Sequence, residues 1–270
     1  MNAIPINFGA FTQPFGTIVT GTFLFYILFW AMFYLFSDSV LYQPPKPSSY
    51  QDTPQIIKIT TKTGLKISAL YLTHPNAKAT LLFSHGNAED LGTLYPFLTY
   101  LRDQSYNILA YDYPGYGTSD GKPSEEKLNE TIFACYEFLK NQKVAPNNIF
   151  LYGRSLGSGP SIWLASTQPV AGVILQAPFI SVYRVITYFP IFPFDKFNNL
   201  KSITKIKSPI LFVHGRSDEI IPIWHSKVLS SHVTTDKQVY WVNKAGHNDL
   251  IAVAGASYFK VLRDFVTRLE

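Results

Sequence analysis

The pentapeptide Gly153-Arg154-Ser155-Leu156-Gly157 constrains this chain more than any other stretch, because of what flanks it. Asn148-Ile149-Phe150-Leu151-Tyr152 has the aliphatic and aromatic content of a strand, and Leu156 to Gln168 is compatible with a helix. A chain passing from strand to helix within five residues must turn sharply, and glycines on both sides of the serine permit the close approach. The serine hydroxyl then stands exposed above the sheet edge, with the next backbone N–H free to bind a developing oxyanion. Such a corner prepares acyl transfer to the serine, although the pattern alone recurs by chance and needs support from its surroundings.

Acyl transfer also needs a base and a group that orients it. Asp218 follows the strand-like run Ile210 to His214 through Gly215-Arg216-Ser217, which puts a carboxylate at a strand's C-terminal edge. His247 sits in Ala245-Gly246-His247-Asn248-Asp249, between the last strand-like run and the last helical one. In these places Asp218 would hold an imidazole and stabilise its cation, and His247 would be the general base. The order serine, acid, histidine along the chain is the one expected for a serine at such a corner. His85 is the rival base; it follows Thr80 to Ser84 in His85-Gly86-Asn87, where a second oxyanion donor is expected, so it reads as shaping that loop. His74 and His232 read as surface loop residues, His214 as the end of a strand and His225 as the start of a helix. The expected oxyanion donors are the backbone N–H groups of Leu156 and Asn87.

The remaining pattern suits one large α/β domain. Short β-branched or aromatic runs at Ile56 to Thr61, Leu65 to Leu72, Thr80 to Ser84, Asn107 to Tyr111, Asn148 to Tyr152, Gly172 to Gln176, Ile210 to His214 and Val239 to Val242 read as strands. Helical spacing occupies Leu91 to Gln104, Ser124 to Asn141, Leu156 to Gln168, Ile223 to Leu229 and Asp249 to Leu269, with Ser124 as an N-cap ahead of Glu125 and Glu126. That alternation predicts a mostly parallel, eight-stranded sheet flanked by helices, at about 55–270. Hydrophobic residues make up 47% of the 270, enough for a sizeable core. The single Cys135, in an apolar-periodic stretch, excludes a disulfide framework and a cysteine metal site, and the chemistry above requires neither metal nor organic cofactor. The net charge of +5 comes from lysines spread along the chain, which argues against nucleic acid as a partner. Gly115-Tyr116-Gly117 lacks the third glycine of a dinucleotide fingerprint.

The first 37 residues contain no Asp, Glu, Lys or Arg, and Phe15 to Phe36 form 22 mostly apolar and aromatic positions. At about 1.5 Å per residue such a helix crosses a hydrocarbon core of about 30 Å. Residues 1–37 are therefore expected to be a membrane anchor with a transmembrane helix at 15–36; no basic region or small-residue cleavage site marks it as a signal peptide. Residues 38–54, with Pro44, Pro45 and Pro47, read as a stiff linker. Positive charge lies only on the C-terminal side of the apolar span, with Lys46 nearest to it, which favours a cytoplasmic place for the following domain by the positive-inside tendency.

Five stretches together carry a resemblance: Leu82-Phe83-Ser84-His85-Gly86-Asn87-Ala88-Glu89-Asp90, Tyr111-Asp112-Tyr113-Pro114-Gly115-Tyr116-Gly117, the serine corner, His214-Gly215-Arg216-Ser217-Asp218 and Gly246-His247-Asn248-Asp249. Over about residues 55 to 268 the chain resembles the membrane-associated α/β-hydrolase-domain proteins, whose relatives include protein depalmitoylases and lysolipid or monoacylglycerol lipases. The resemblance implies the α/β-hydrolase fold, a triad of Ser155, Asp218 and His247, and an oxyanion hole of Asn87 and Leu156. Depalmitoylase relatives carry an N-terminal cysteine cluster; here an apolar segment stands in its place.

Residues 177–207 occupy the position of a cap. Phe179, Tyr183, Phe189 and Phe192 within it, with Tyr188, Phe194 and Phe197, read either as the cap's own packing or as an acyl-chain tunnel, and Lys196, Lys201, Lys205 and Lys207 as its basic rim. The expected activity is a membrane-anchored serine hydrolase that cleaves an ester or thioester of a lipophilic acyl group, with membrane lipid as its surroundings. The alternatives are a serine peptidase on the same fold and a catalytically idle tethered scaffold.

Overall fold

The computed structural model describes residues 12–189 and 194–269, with side chains left undescribed at 12–18, 33, 35 and 36. The chain divides into two compact units, 1–42 and 43–270. Within the first, α1 is a continuous helix of 30 residues, Thr12–Leu41. Its described side chains from Phe23 to Phe29 are all 44% exposed or more. The expected membrane span at 15–36 falls within α1 and includes positions whose side chains are not described; among the described residues no helix is long and apolar enough to cross a membrane.

The second unit is built on a sheet of β1 (Ile56–Thr60), β2 (Lys66–Leu72), β3 (Ala79–Ser84), β4 (Tyr106–Tyr111), β5 (Ile149–Arg154), β6 (Gly172–Gln176), β7 (Ile210–Gly215) and β8 (Lys237–Val242). Their spatial order is β1-β2-β4-β3-β5-β6-β7-β8. β2 runs antiparallel to both its neighbours, β1 and β4; from β4 to β8 every pairing is parallel. The central strands β3, β5, β6 and β7 are almost entirely buried, the pattern of a sheet covered on both faces.

The helices between strands follow the spacing of their apolar residues. After β3 comes α2 (Leu91–Asp103), which buries Leu91, Leu94, Leu98 and Leu101 against Leu81, Phe83, Ile108 and Tyr152. Successive strand residues point to opposite faces, so the fully buried Leu82, Leu109 and Leu151 face the other side. There α3 (Glu125–Asn141) buries Leu128, Thr131, Ile132, Cys135, Tyr136 and Leu139, and Ser124 caps it by accepting the Lys127 N–H. The expected helix from Leu156 is α4, Ser158–Ala165, preceded by one tight 3₁₀ turn at Ser155–Gly157. Beyond β6 lie the short cap helices α5 (Val182–Ile186) and α6 (Asn199–Ile203), and beyond β7 lies α7 (Trp224–Ser231).

The last helix departs from expectation. It is broken into α8 (Leu250–Ala254) and α9 (Ala256–Thr267) by Gly255, whose φ of 54° and ψ of −136° leave the helical region.

Residues 43–50, expected to be part of a spacer, are hydrogen-bonded into the second unit. The Gln43 N–H donates to Asn87 Oδ1 at 2.9 Å and to the Tyr116 hydroxyl at 3.1 Å. The Ser49 N–H donates to Asp90 Oδ2 at 2.8 Å, and its hydroxyl to Asp90 Oδ1; Tyr50 donates to Asp112 Oδ2 at 2.6 Å. Asp90 and Asp112 are both 0% exposed, and a buried carboxylate must recruit donors from whatever segment reaches it. Asp90 also caps α2 reciprocally with Thr93. Asp90→Ala, which removes the cap and strands the Ser49 donors, is expected to lower stability by about 2 kcal/mol. Urea denaturation checks this; a loss near zero would show that residues 48–50 do not depend on it.

Candidate active site

The parallel strands deliver three side chains to one edge of the sheet. Ser155 follows β5 directly, Asp218 lies three residues beyond β7, and His247 lies five beyond β8. All three are carboxyl ends, where open α/β sheets keep their sites. His247 Nε2 is 3.0 Å from Ser155 Oγ, and His247 Nδ1 is 2.8 Å from Asp218 Oδ2. Because Nδ1 faces a carboxylate it carries the proton, which leaves the Nε2 lone pair to accept the Ser155 hydroxyl hydrogen. Ser155, His247 and Asp218 retain 8%, 7% and 7% of their exposure, enough to meet a solute and too little for bulk water.

Asp218 is surrounded by donors. Its Oδ1 accepts the Ile220 N–H at 3.0 Å and the Ile221 N–H at 2.7 Å. Its Oδ2 takes His247 and also His214 Nε2, at 3.1 Å. Burial alone would raise its pKa, but hydrogen bonds from His214 and His247, the His247 charge and the Ile221 N–H together hold it far below the usual carboxylate range.

His85 does not compete for this place. It is buried, with Nδ1 donating to the Gly86 carbonyl at 2.7 Å and Nε2 3.3 Å from Asp112 Oδ1. Tyr113 and Tyr116 pack on its ring. It shapes the loop after β3, as its position suggested. That loop passes the serine closely: a Cβ on Gly86 would lie 3.7 Å from the Ser155 Cβ. Asn87 Oδ1 accepts the Tyr116 hydroxyl at 2.6 Å, and Leu156 is buried in the 3₁₀ turn.

The family described as Serine aminopeptidase, S33, matches residues 75–199. The alpha/beta hydrolase domain-containing protein 17B of Xenopus tropicalis is 40% identical over 228 residues, covering 82% of this chain and 78% of that protein. Its human counterpart is 39% identical over the same shares. The chain belongs to the α/β-hydrolase family. Among solved structures, the esterase Pf2001 of Pyrococcus furiosus superposes with a TM-score of 0.71 at 20% identity, over 84% of this chain and 98% of that one, which speaks for the fold alone.

The serine corner of this α/β-hydrolase is as tight as its glycines imply. Ser155 has φ of 51°, a left-handed value that a non-glycine residue adopts only where its surroundings hold it. A Cβ on Gly153 would come within 2.7 Å of the Gly157 carbonyl oxygen, and one on Gly157 within 2.1 Å of the Ser84 carbonyl oxygen.

Two groups near this centre escaped the sequence reading. His214, taken as a strand end, is 0% exposed; its Nε2 lies 2.8 Å from the Ile221 carbonyl as well as near Asp218, and its Nδ1 2.6 Å from Ser226 Oγ. Its spacing four residues before Asp218 was the available signal. Arg154 and Glu89 form a second feature, an ion pair of 2.7 Å beside Ser155.

The cap residues expected at a substrate contact differ in their surroundings. Phe179 and Tyr183 are 3% and 4% exposed and pack edge-on against Phe197 and Phe194. Asp195 ties that cap together through Ser181 and the Tyr183 N–H. Phe189 is exposed beside Tyr188; Phe192 lies outside the described residues. Lys196 is buried, while Lys201, Lys205 and Lys207 are exposed.

Gly157→Ala must push a methyl into backbone carbonyls that cannot rotate away. The expected cost is about 3 kcal/mol or more, read by denaturation; a loss below about 1 kcal/mol would mean that the corner is not rigid.

Proposed function

We propose that this α/β-hydrolase is a serine hydrolase that cleaves an ester or thioester of a lipophilic acyl group through an acyl-serine intermediate. The observation that carries the reading is the unbroken chain Ser155 Oγ, His247, Asp218, at 3.0 and 2.8 Å. His247 Nε2 takes the Ser155 proton while Oγ bonds to the acyl carbon, and the carbonyl electron pair moves onto oxygen. The N–H groups of Asn87 and Leu156 receive that oxyanion, each donor contributing about 3 kcal/mol. Collapse expels the alkoxide or thiolate, which leaves with the proton from His247. Water then repeats the sequence, giving its proton to His247 and its oxygen to the acyl carbon, and Ser155 is freed. Asp218 stays ionised throughout and stabilises the His247 cation.

Membership of the α/β-hydrolase family supports hydrolysis, and the exposed aromatic patch of Tyr188 and Phe189 beside Trp224 offers an apolar approach to the cap. The charge-free first 37 residues and the exposed apolar side chains of α1 support attachment to a membrane, with the hydrolase unit on the cytoplasmic side. A second reading, peptide hydrolysis, is favoured only by the aminopeptidase family match; paired ester and amide substrates with one acyl group separate the two.

A fluorophosphonate probe is expected to label the wild type and leave Ser155→Ala unlabelled and inactive. Persistent labelling of Ser155→Ala would reassign the nucleophile. His247→Ala and Asp218→Asn should each lower kcat by about 10⁴-fold.

The folded-state pKa of Asp218 lies below its ordinary value of 3.8, so its contribution to stability is complete above that value and is lost as pH falls towards the depressed one. Asp218→Asn should therefore flatten the acid limb of stability below about pH 4, measured by denaturation across a pH series. An unchanged limb would contradict the assignment of its charge.

For the acyl group, kcat/KM should rise from two to about sixteen carbons, each buried methylene contributing up to about 0.8 kcal/mol. A profile that peaks at acetyl would identify a small-ester hydrolase instead.

A further inference from the structure

Glu89 and Arg154 take no part in the proton relay, yet they join its two supporting loops. Arg154 immediately precedes Ser155, and its Nη1 lies 2.7 Å from Glu89 Oε1. Glu89 stands two residues beyond Asn87, and its other oxygen accepts the Gly86 N–H at 2.7 Å. The side chains keep 17% and 20% of their exposure, so solvent and salt screen this pair less than a surface one. One carboxylate therefore grips its own loop and the serine corner at once. Under the serine-hydrolase reading, on which this inference rests, each of those two segments supplies one oxyanion donor.

We propose that the Glu89–Arg154 pair is a brace that sets the spacing of the two oxyanion donors, which makes both side chains positioning residues for hydrolysis. The local backbone is arranged for it. A Cβ on Gly86 would lie 2.9 Å from Glu89 Oε2, so the carboxylate fills the space that a side chain at 86 would take. Ala88, at φ 56°, turns the chain so that Glu89 folds back onto the Gly86 N–H. The planar guanidinium of Arg154 holds a carboxylate with directional donors, which a flexible ammonium does less well.

An oxyanion hole acts on charge that exists only in the transition state. A loosened brace therefore lowers kcat and leaves KM nearly unchanged. A misplacement of about 1 Å costs on the order of 10²-fold. If Arg154 instead bound an anionic part of the substrate, its loss would raise KM.

The test uses the full-length protein, a water-soluble ester and an alkylboronic acid, which becomes a tetrahedral anion on the nucleophilic serine. Glu89→Gln and Arg154→Met are each expected to lower kcat by about 10- to 100-fold with KM within about twofold, and to weaken boronate inhibition in parallel. The double variant should be no worse than the poorer single one, because one interaction is lost in each case. Glu89→Asp and Arg154→Lys, gentler changes, should give intermediate kcat losses, and they carry the test if a stronger variant does not fold. Unchanged kcat, additive losses, or a rise in KM at constant kcat would each overturn the brace. A wild type inert to ester and boronate would overturn the hydrolase reading itself; a reactive wild type with indifferent variants would overturn the brace alone.

Discussion

Residue 157 has no room for a side chain, because the backbone there presses against the carbonyls of Ser84 and His85. Most of the site follows from that contact. It holds the corner between β5 and α4 against the end of β3, so the strand that delivers Ser155 and the loop that carries Asn87 must stop side by side. The parallel register of Ser84 beside Gly153 continues the same constraint into the sheet. Ser155 sits at a positive φ in this corner, and Ser158 secures the turn by donating to the Ser155 carbonyl at 2.7 Å.

Around this corner the charges are buried in partnered form. Asp218 meets two backbone N–H groups and two imidazoles, Asp112 faces His85 and takes the Tyr50 hydroxyl and the Leu91 N–H, and Glu89 holds Arg154. Removing a charge from water is costly, and each carboxylate is compensated by donors fixed on rigid elements. The cost is also what makes the arrangement specific, since a displaced partner would leave a buried charge unpaired. His225, close to this group, is pushed down to about 4 by burial and by the positive charges of His214 and Arg184, so it remains neutral near pH 7.

Much of this was legible along the chain. Strand positions could be read because β-branched and aromatic runs alternate with helical spacing, and α3 could be placed from Ser124 onwards because its cap and its apolar stripe agree. Ser155, Asp218 and His247 could be picked out because each follows a strand, and in a parallel sheet every strand end reaches the same edge. Other features depend on contacts between distant residues. Phe179 and Tyr183 could be read along the chain either as packing or as substrate contacts, because an aromatic residue has the same composition whether it lines a pocket or fills a cap. The prolines of the 43–50 segment suggested a spacer; only the burial of Asp90 and Asp112 turns it into part of the hydrolase unit.

Local sequence determined the order of elements, the tight serine corner and the chemical types at its edge, since glycine spacing and hydrophobic periodicity act over a few residues. Tertiary structure alone decided that His247 reaches Asp218 and that Glu89 reaches Arg154. Those two pairings span tens of residues and depend on register across the sheet, which no short stretch of the chain contains.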